Sequence, residues 1–150
     1  MTWAALFSIT NLVAVLGWAA LLLLPRRPLV LSAILYLGVG LLSLAYLGMF
    51  VASFGGMVDP GRVAGSSPPD LSNYSIEGIR SLFMSDGGIV IGWTHYLAFD
   101  LFVGLWIARD GDARGTSRWV QAPILLAIFL AGPIGLLVWL MVRGRKAQAP

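Results

Sequence analysis

Residues 87–108 read GGIVIGWTHYLAFDLFVGLWIA, and within this apolar stretch the interruptions are His95 and Asp100. The stretch exceeds the roughly 20 residues that an α-helix needs to cross a hydrocarbon core of about 30 Å. Because lipid offers no hydrogen bonds, the backbone polar groups of a spanning segment must be paired within the protein, and a helix pairs them internally. We therefore predict a membrane-spanning helix at this position.

The rest of the chain contains three comparable apolar stretches. The predicted spans cover residues of about 2–24, 29–54, 88–108 and 120–142. The first stretch lacks the basic leader and the cleavage site of a signal peptide, so we expect it to be retained. The predicted fold class is all-α, an integral membrane four-helix bundle that forms a single transmembrane domain over residues 1–150.

The composition agrees with this assignment and excludes several function classes. Of the 150 residues, 58% are hydrophobic and 11% are charged, whereas soluble domains carry about 25% charged residues. The chain has no cysteine and one histidine, so we expect no metal site and no cofactor. The net charge of +3 suits anionic headgroups. We expect membrane lipids as partners and no nucleic acid.

A polar stretch separates the second and third spans. Its first half is rich in Gly, Ser and Pro and is typical of an irregular loop. Further along, apolar residues recur at helical spacing at Ile76, Ile79, Leu82 and Phe83. This spacing predicts a short amphipathic helix in the membrane interface. The alternative is a loop with incidental apolar residues.

Asp100 and His95 are the candidate catalytic residues. A carboxylate near the middle of a span costs about 2.5–3.5 kcal/mol on insertion scales, so Asp100 should face the bundle or be protonated. The two side chains are roughly 140° apart around the helix, with a rise of about 7.5 Å between them. They could flank a ligand or contact different helices. The structural alternatives are a packing carboxyl bonded to another helix and an interfacial histidine.

Aromatic residues and a proline are the candidate ligand-binding residues. On the third span these are Trp93, Phe99, Phe102 and Trp106, and on the fourth span Pro133. The sequence AGPIG at residues 131–135 should kink its helix and free carbonyl groups near the bilayer centre. Packing and an interfacial aromatic belt are the alternative explanation. We expect Asp110 and Asp112, which follow the third span, to be solvated turn residues or to make a weak polar contact.

The sequence WTHYLAFDLF at residues 93–102 resembles a known family when it is taken together with Asp110-Gly111 and with GPIG at residues 132–135. The family is named for plant abscisic-acid-deficient four and consists of small four-helix membrane proteins. The chain looks like a bacterial-type member. The resemblance is closest over the third and fourth spans, whereas the first two spans resemble the family in length and hydropathy.

The resemblance implies that the chain acts on a carotenoid or another isoprenoid lipid. Plant members are required to form neoxanthin from violaxanthin, ahead of abscisic acid synthesis. This isomerisation opens a 5,6-epoxide and removes a neighbouring vinylic proton, without a redox cofactor. Our hypothesis is that Asp100 acts as the acid and His95 as the base, which would suffice for this reaction. The chain departs from plant members in two ways. It has Leu105 where plant members have a basic residue shortly after the Asp-Leu-Phe triplet, and it lacks a plastid leader. We therefore expect a multi-pass protein of the bacterial inner membrane.

Two other functions stay open at this point. The first is a non-catalytic pigment-binding or assembly subunit, acting as a homo-oligomer or within a membrane complex. The second is a small proton-linked transporter that uses Asp100 as its proton site. This function ranks last, because four helices are few for a transporter and the chain lacks inverted repeats.

Overall fold

The computed structural model describes residues 2–144, and the named elements in this part of the chain are helices. Their bounds are α1 (Trp3–Leu23), α2 (Pro28–Phe54), α3 (Ile76–Leu82), α4 (Asp86–Ala113) and α5 (Arg118–Val142). Within α2, the segment Ile34–Gly40 has π-helical turns. The helices α1, α2, α4 and α5 are long and apolar enough to cross a membrane. The prediction of an all-α fold with four spans is confirmed.

Polar side chains and one proline mark where the helices begin. The hydroxyl groups of Thr2, Ser75, Ser85 and Ser117 each accept a hydrogen bond from a backbone N–H in the first turn that follows. Such caps satisfy donors that have no partner inside the helix. Pro28 occupies the first turn of α2, where its missing N–H costs nothing.

Helix α4 is the centre of the bundle and packs against α1, α2 and α5. Its Leu101 is fully buried between two glycines of neighbouring helices. A Cβ atom at Gly17 would lie 2.7 Å from Leu101 Cδ2, and one at Gly38 would lie 2.9 Å from it. In the same way, Gly104 leaves room for the Trp18 ring. Small residues thus allow close helix packing, as they commonly do in membranes.

The short helix predicted between the second and third spans is present as α3. Its Ser75 cap precedes Ile76, which is 80% exposed, while Gly78 on the other side is buried. The loop before α3 is fastened to the bundle by Trp3, whose Nε1 donates to the Asp59 carbonyl at 2.9 Å. Helix α3 and the start of α1 are therefore at the same end of the bundle.

A buried polar cluster closes the opposite end, between α4, α5 and the α1–α2 turn. The Arg26 side chain is 6% exposed and donates to Asp112 Oδ1 at 2.8 Å. It also donates to Gln121 Oε1 at 2.5 Å, and Gln121 is fully buried. Burial lowers the pKa of the Arg26 guanidinium, and the charge of Asp112 opposes this shift.

The neighbouring Asp110 is also held by partners from α5. Its Oδ2 accepts a hydrogen bond at 3.1 Å from Trp139 Nε1, and the Trp139 ring is fully buried. Its Oδ1 accepts at 2.9 Å from Arg114 Nε, and Arg143 forms an ion pair with Oδ2 at 3.4 Å. Of the two alternatives predicted for Asp110 and Asp112, the structure has the polar contact, although Asp112 is still 40% exposed. Both residues lie within α4, which ends at Ala113, five residues beyond the predicted end of the span.

We expect Arg26→Met to destabilise the folded protein, because the substitution leaves Asp112 and the buried Gln121 without their cationic partner. The loss in free energy of unfolding should be about 1.5–3 kcal/mol. Thermal unfolding in detergent measures it, with Arg27→Met as the matched control, because Arg27 is exposed. Equal midpoints for the two variants would show that the cluster does not stabilise the bundle.

Candidate functional site

A break in α5 provides one wall of the site. The backbone of Ala131 is non-helical, with φ −158° and ψ 69°. Pro133 follows two residues later, and proline cannot donate the helical hydrogen bond and clashes with the carbonyl four residues earlier. The predicted kink at residues 131–135 is confirmed. It lies inside the span, where unpaired backbone groups need partners from the protein.

The Asp100 carboxyl packs directly against this break. A Cβ atom at Gly132 would overlap Asp100 Oδ1, so only glycine leaves room for the carboxyl there. The other oxygen, Oδ2, is buried and has no hydrogen-bond partner among residues 2–144. The Tyr96 side chain approaches the carboxyl from one turn earlier on α4 and also lies beside the backbone of Gly132. We call Tyr96, Asp100 and Gly132 the carboxyl site.

An apolar cavity of about 370 Å³ lies next to the carboxyl site. Its lining residues are Phe7, Phe83, Ile89, Gly92, Trp93 and Tyr96. Trp93 stacks on Tyr96 at a centroid distance of 5.2 Å, and Phe7 lies 6.1 Å from Trp93. The Trp93 indole N–H donates to Asn11 Oδ1 at 3.1 Å, which fixes the ring against α1. We call this space the aromatic cavity, and Tyr96 belongs both to it and to the carboxyl site.

His95 lies on a different side of α4 from Asp100. Its ring is 5.7 Å from Tyr46 of α2 and 4.5 Å from Phe99. Asp100 instead contacts Gly132 of α5. Of the two arrangements foreseen from the helical angle, the structure has the one in which each side chain contacts a different helix. It does not bring the predicted acid and base together.

The remaining predicted ligand-binding residues fall into two groups. Phe99, Phe102 and Trp106 are exposed on the same face of α4 as His95. Arg143 covers the outer end of this face, with its guanidinium carbon 5.4 Å from the Trp106 ring centroid. We call His95, Phe99, Phe102 and Trp106 of α4 the exposed stripe. Pro133 lies at the kink, and Trp93 lies in the aromatic cavity.

Several residues of the site were not assigned a role from the sequence. Tyr96 carried a usable signal, because a polar side chain four residues before Asp100 lies on the same helix face. Gly132 was recognised as part of a kink but not as the contact of the carboxyl. Phe7 and Phe83 carried no signal, since they come from distant segments. Within residues 2–144, no group of three or more His, Asp or Glu side chains could hold a metal ion.

We expect Gly132→Ala to push the Asp100 carboxyl out of its position, because the new methyl group occupies the space of Oδ1. Overpacking of this kind costs about 1–3 kcal/mol. The matched control is Gly48→Ala, since a Cβ at Gly48 meets no atom within 4 Å. Thermal unfolding of both variants in detergent is the measurement. A Gly132→Ala protein as stable as the control would contradict the close packing.

Comparison with known proteins identifies the family. No curated protein and no solved structure matches the chain. A family model described as ABA DEFICIENT 4-like matches residues 5–139, a range that includes α2, α4, most of α1 and α5, the carboxyl site and the kink. The match confirms the resemblance seen in the sequence, and it links the chain to a role related to neoxanthin and abscisic acid formation. The chain belongs to the ABA DEFICIENT 4-like family.

Proposed function

We propose that this chain isomerises an epoxycarotenoid, or a closely related isoprenoid, within the membrane and that Asp100 exchanges protons with the substrate. The observation that carries the proposal is the buried Asp100 Oδ2, which lacks a hydrogen-bond partner among the described residues. Buried polar atoms are nearly always paired, and a carboxyl in an apolar layer is costly. An oxygen atom of a bound substrate would supply the missing partner.

The reaction requires proton transfer and no change of oxidation state. An acid protonates the epoxide oxygen as one C–O bond breaks, and a base removes the proton of the neighbouring vinylic carbon. The released C–H electron pair forms the new double bond, so the product has the same mass as the substrate. Asp100 is the proposed acid. His95 faces α2, so pairing it with Asp100 requires a substrate that reaches around α4.

The aromatic cavity supports an isoprenoid as the substrate. Its walls are apolar or aromatic, and its volume of about 370 Å³ is at the lower end of the range of ligand sites. This space suits one ring end of a carotenoid, while the polyene would extend between the helices and the lipid. Membership of the ABA DEFICIENT 4-like family supports the same substrate class.

We expect the protein to convert violaxanthin into an isobaric product in a bacterial host that makes epoxidised xanthophylls. Asp100→Asn should lower product formation by at least about 10²-fold, the lower range for loss of a general acid. The measurement is chromatography of the pigments with mass detection. Asp70→Asn is the matched control, since Asp70 is an exposed loop carboxyl bonded to Ser72, and it should retain full conversion.

Two results would count against the proposal. An unchanged pigment profile, with the protein present in the membrane fraction, would remove epoxide isomerisation. Product formation that survives in Asp100→Asn would keep the isomerase but remove Asp100 from its chemistry. The expected location is the bacterial inner membrane, and cell fractionation in the same host tests it.

The exposed stripe favours a second candidate function, a non-catalytic pigment-binding or assembly subunit. Three aromatic rings and a histidine follow one face of α4 and are only partly covered by the rest of the described chain. Such a row can stack on a flat conjugated pigment or on another membrane protein.

This alternative predicts that pigment co-purifies with the protein but leaves it chemically unchanged. Phe102→Leu should then lower the bound pigment several-fold, as measured by absorbance per mole of purified protein. Trp93→Leu, a change in the aromatic cavity, should have little effect. The reverse order of effects would place the pigment in the cavity and argue against the stripe.

A further inference from the structure

We propose that Tyr96 is the second proton-transfer group of the site and takes the role that the sequence had assigned to His95. This inference rests on the proposed function and specifies its chemistry. The two residues are adjacent in the same apolar span, and Tyr96 is the one that is four residues from Asp100. Their placement in the bundle also distinguishes them.

Tyr96 and Asp100 converge on one place, whereas His95 and Asp100 do not. Residues four apart on a helix lie on one face, and Tyr96 approaches both the Asp100 carboxyl and the backbone of Gly132. Tyr96 also lines the aromatic cavity. A ring held in that cavity would therefore contact Tyr96, with the carboxyl one turn further along α4.

The Tyr96 ring is held in position by its neighbours, and its side chain lies against Asp100 and the backbone of Gly132. Trp93 stacks on it at 5.2 Å with an interplanar angle of 27°, and Trp93 is itself fixed by Asn11. The same stack supports a phenylalanine ring equally well. Removal of the hydroxyl alone therefore tests chemistry without removing the cavity wall.

The two groups can complete the reaction by passing protons in one direction. The Asp100 carboxylic acid gives its proton to the epoxide oxygen as the C–O bond breaks. The Tyr96 oxygen takes the vinylic proton, and its own hydroxyl proton passes to the buried Asp100 Oδ2. The C–H electron pair becomes the new double bond, the epoxide oxygen becomes a hydroxyl group, and both side chains return to their starting state.

A neutral relay suits this depth in the membrane. An isolated charge in an apolar environment is strongly unfavourable, and in the relay both protein groups are neutral before and after turnover. The relay also gives the unpartnered Oδ2 a function, because it is the atom that accepts the phenolic proton. His95, on the exposed stripe, has no such acceptor within its described contacts.

The test compares Tyr96→Phe with Tyr36→Phe and His95→Gln in the full chain, reconstituted in lipid nanodiscs with the same epoxycarotenoid. Tyr36 is the matched control, because its ring is 69% exposed on α2. We expect Tyr96→Phe to lower kcat at least about 10²-fold, with KM and the Kd for the pigment changed less than about twofold. Substrate deuterated at the vinylic carbon should show a larger isotope effect on kcat in this variant. Tyr36→Phe should retain wild-type kcat, and His95→Gln should lower kcat less than Tyr96→Phe does.

The outcomes separate the inference from the function on which it rests. A Tyr96→Phe protein with wild-type kcat, or with weaker pigment binding and an unchanged isotope effect, would overturn the relay and leave the isomerase in place. Loss of turnover in His95→Gln alone would restore His95 as the base. Absence of any isomer with the unaltered chain would remove the function itself, and the relay with it.

Discussion

A carboxyl group near the middle of a membrane-spanning helix has to find its polar surroundings within the protein. For Asp100 those surroundings are the broken turn of α5, where Gly132 offers backbone instead of a side chain and Ala131 leaves helical geometry. The position of the carboxyl depends on Gly132, because a larger residue at position 132 would occupy the space of Oδ1. Tyr96 and the aromatic cavity adjoin the carboxyl that this contact holds in place.

The two ends of the bundle are built from different chemistry. At one end, Arg26, Asp112 and the buried Gln121 connect the α1–α2 turn to α4 and α5 through charged and polar bonds. At the other end, Phe7 of α1, Phe83 after α3 and residues of α4 line an apolar cavity. The polar cluster therefore joins the helices at the end away from the aromatic cavity, whose walls are mainly aromatic and apolar.

Much of the fold could be predicted from the sequence, because each span is a local property of some 20 consecutive apolar residues. The kink was also predictable from local sequence, because Pro133 disrupts the helical hydrogen bonds of the turn that precedes it. The roles of Asp110 and Asp112 could not be predicted, as their partners Arg26, Gln121 and Trp139 come from other helices. The site was partly predictable, because a carboxyl such as Asp100 in an apolar span is energetically unfavourable and is rarely present without a role. The spacing of Tyr96 indicated the same helix face as Asp100, but its contacts with Gly132 and the aromatic cavity depend on how the other helices pack.

The depth of Asp100 has a consequence for what a reaction there could yield. The residue lies close to the midpoint of the 28-residue helix α4, so roughly 20 Å of helix separates it from either end. In water, an opened epoxide is captured by a water molecule and becomes a diol. Far from both membrane surfaces water is scarce, so the carbocation left by epoxide opening becomes neutral by losing a proton. Rearrangement in place of hydration would then follow from where the carboxyl is located, as much as from its acidity.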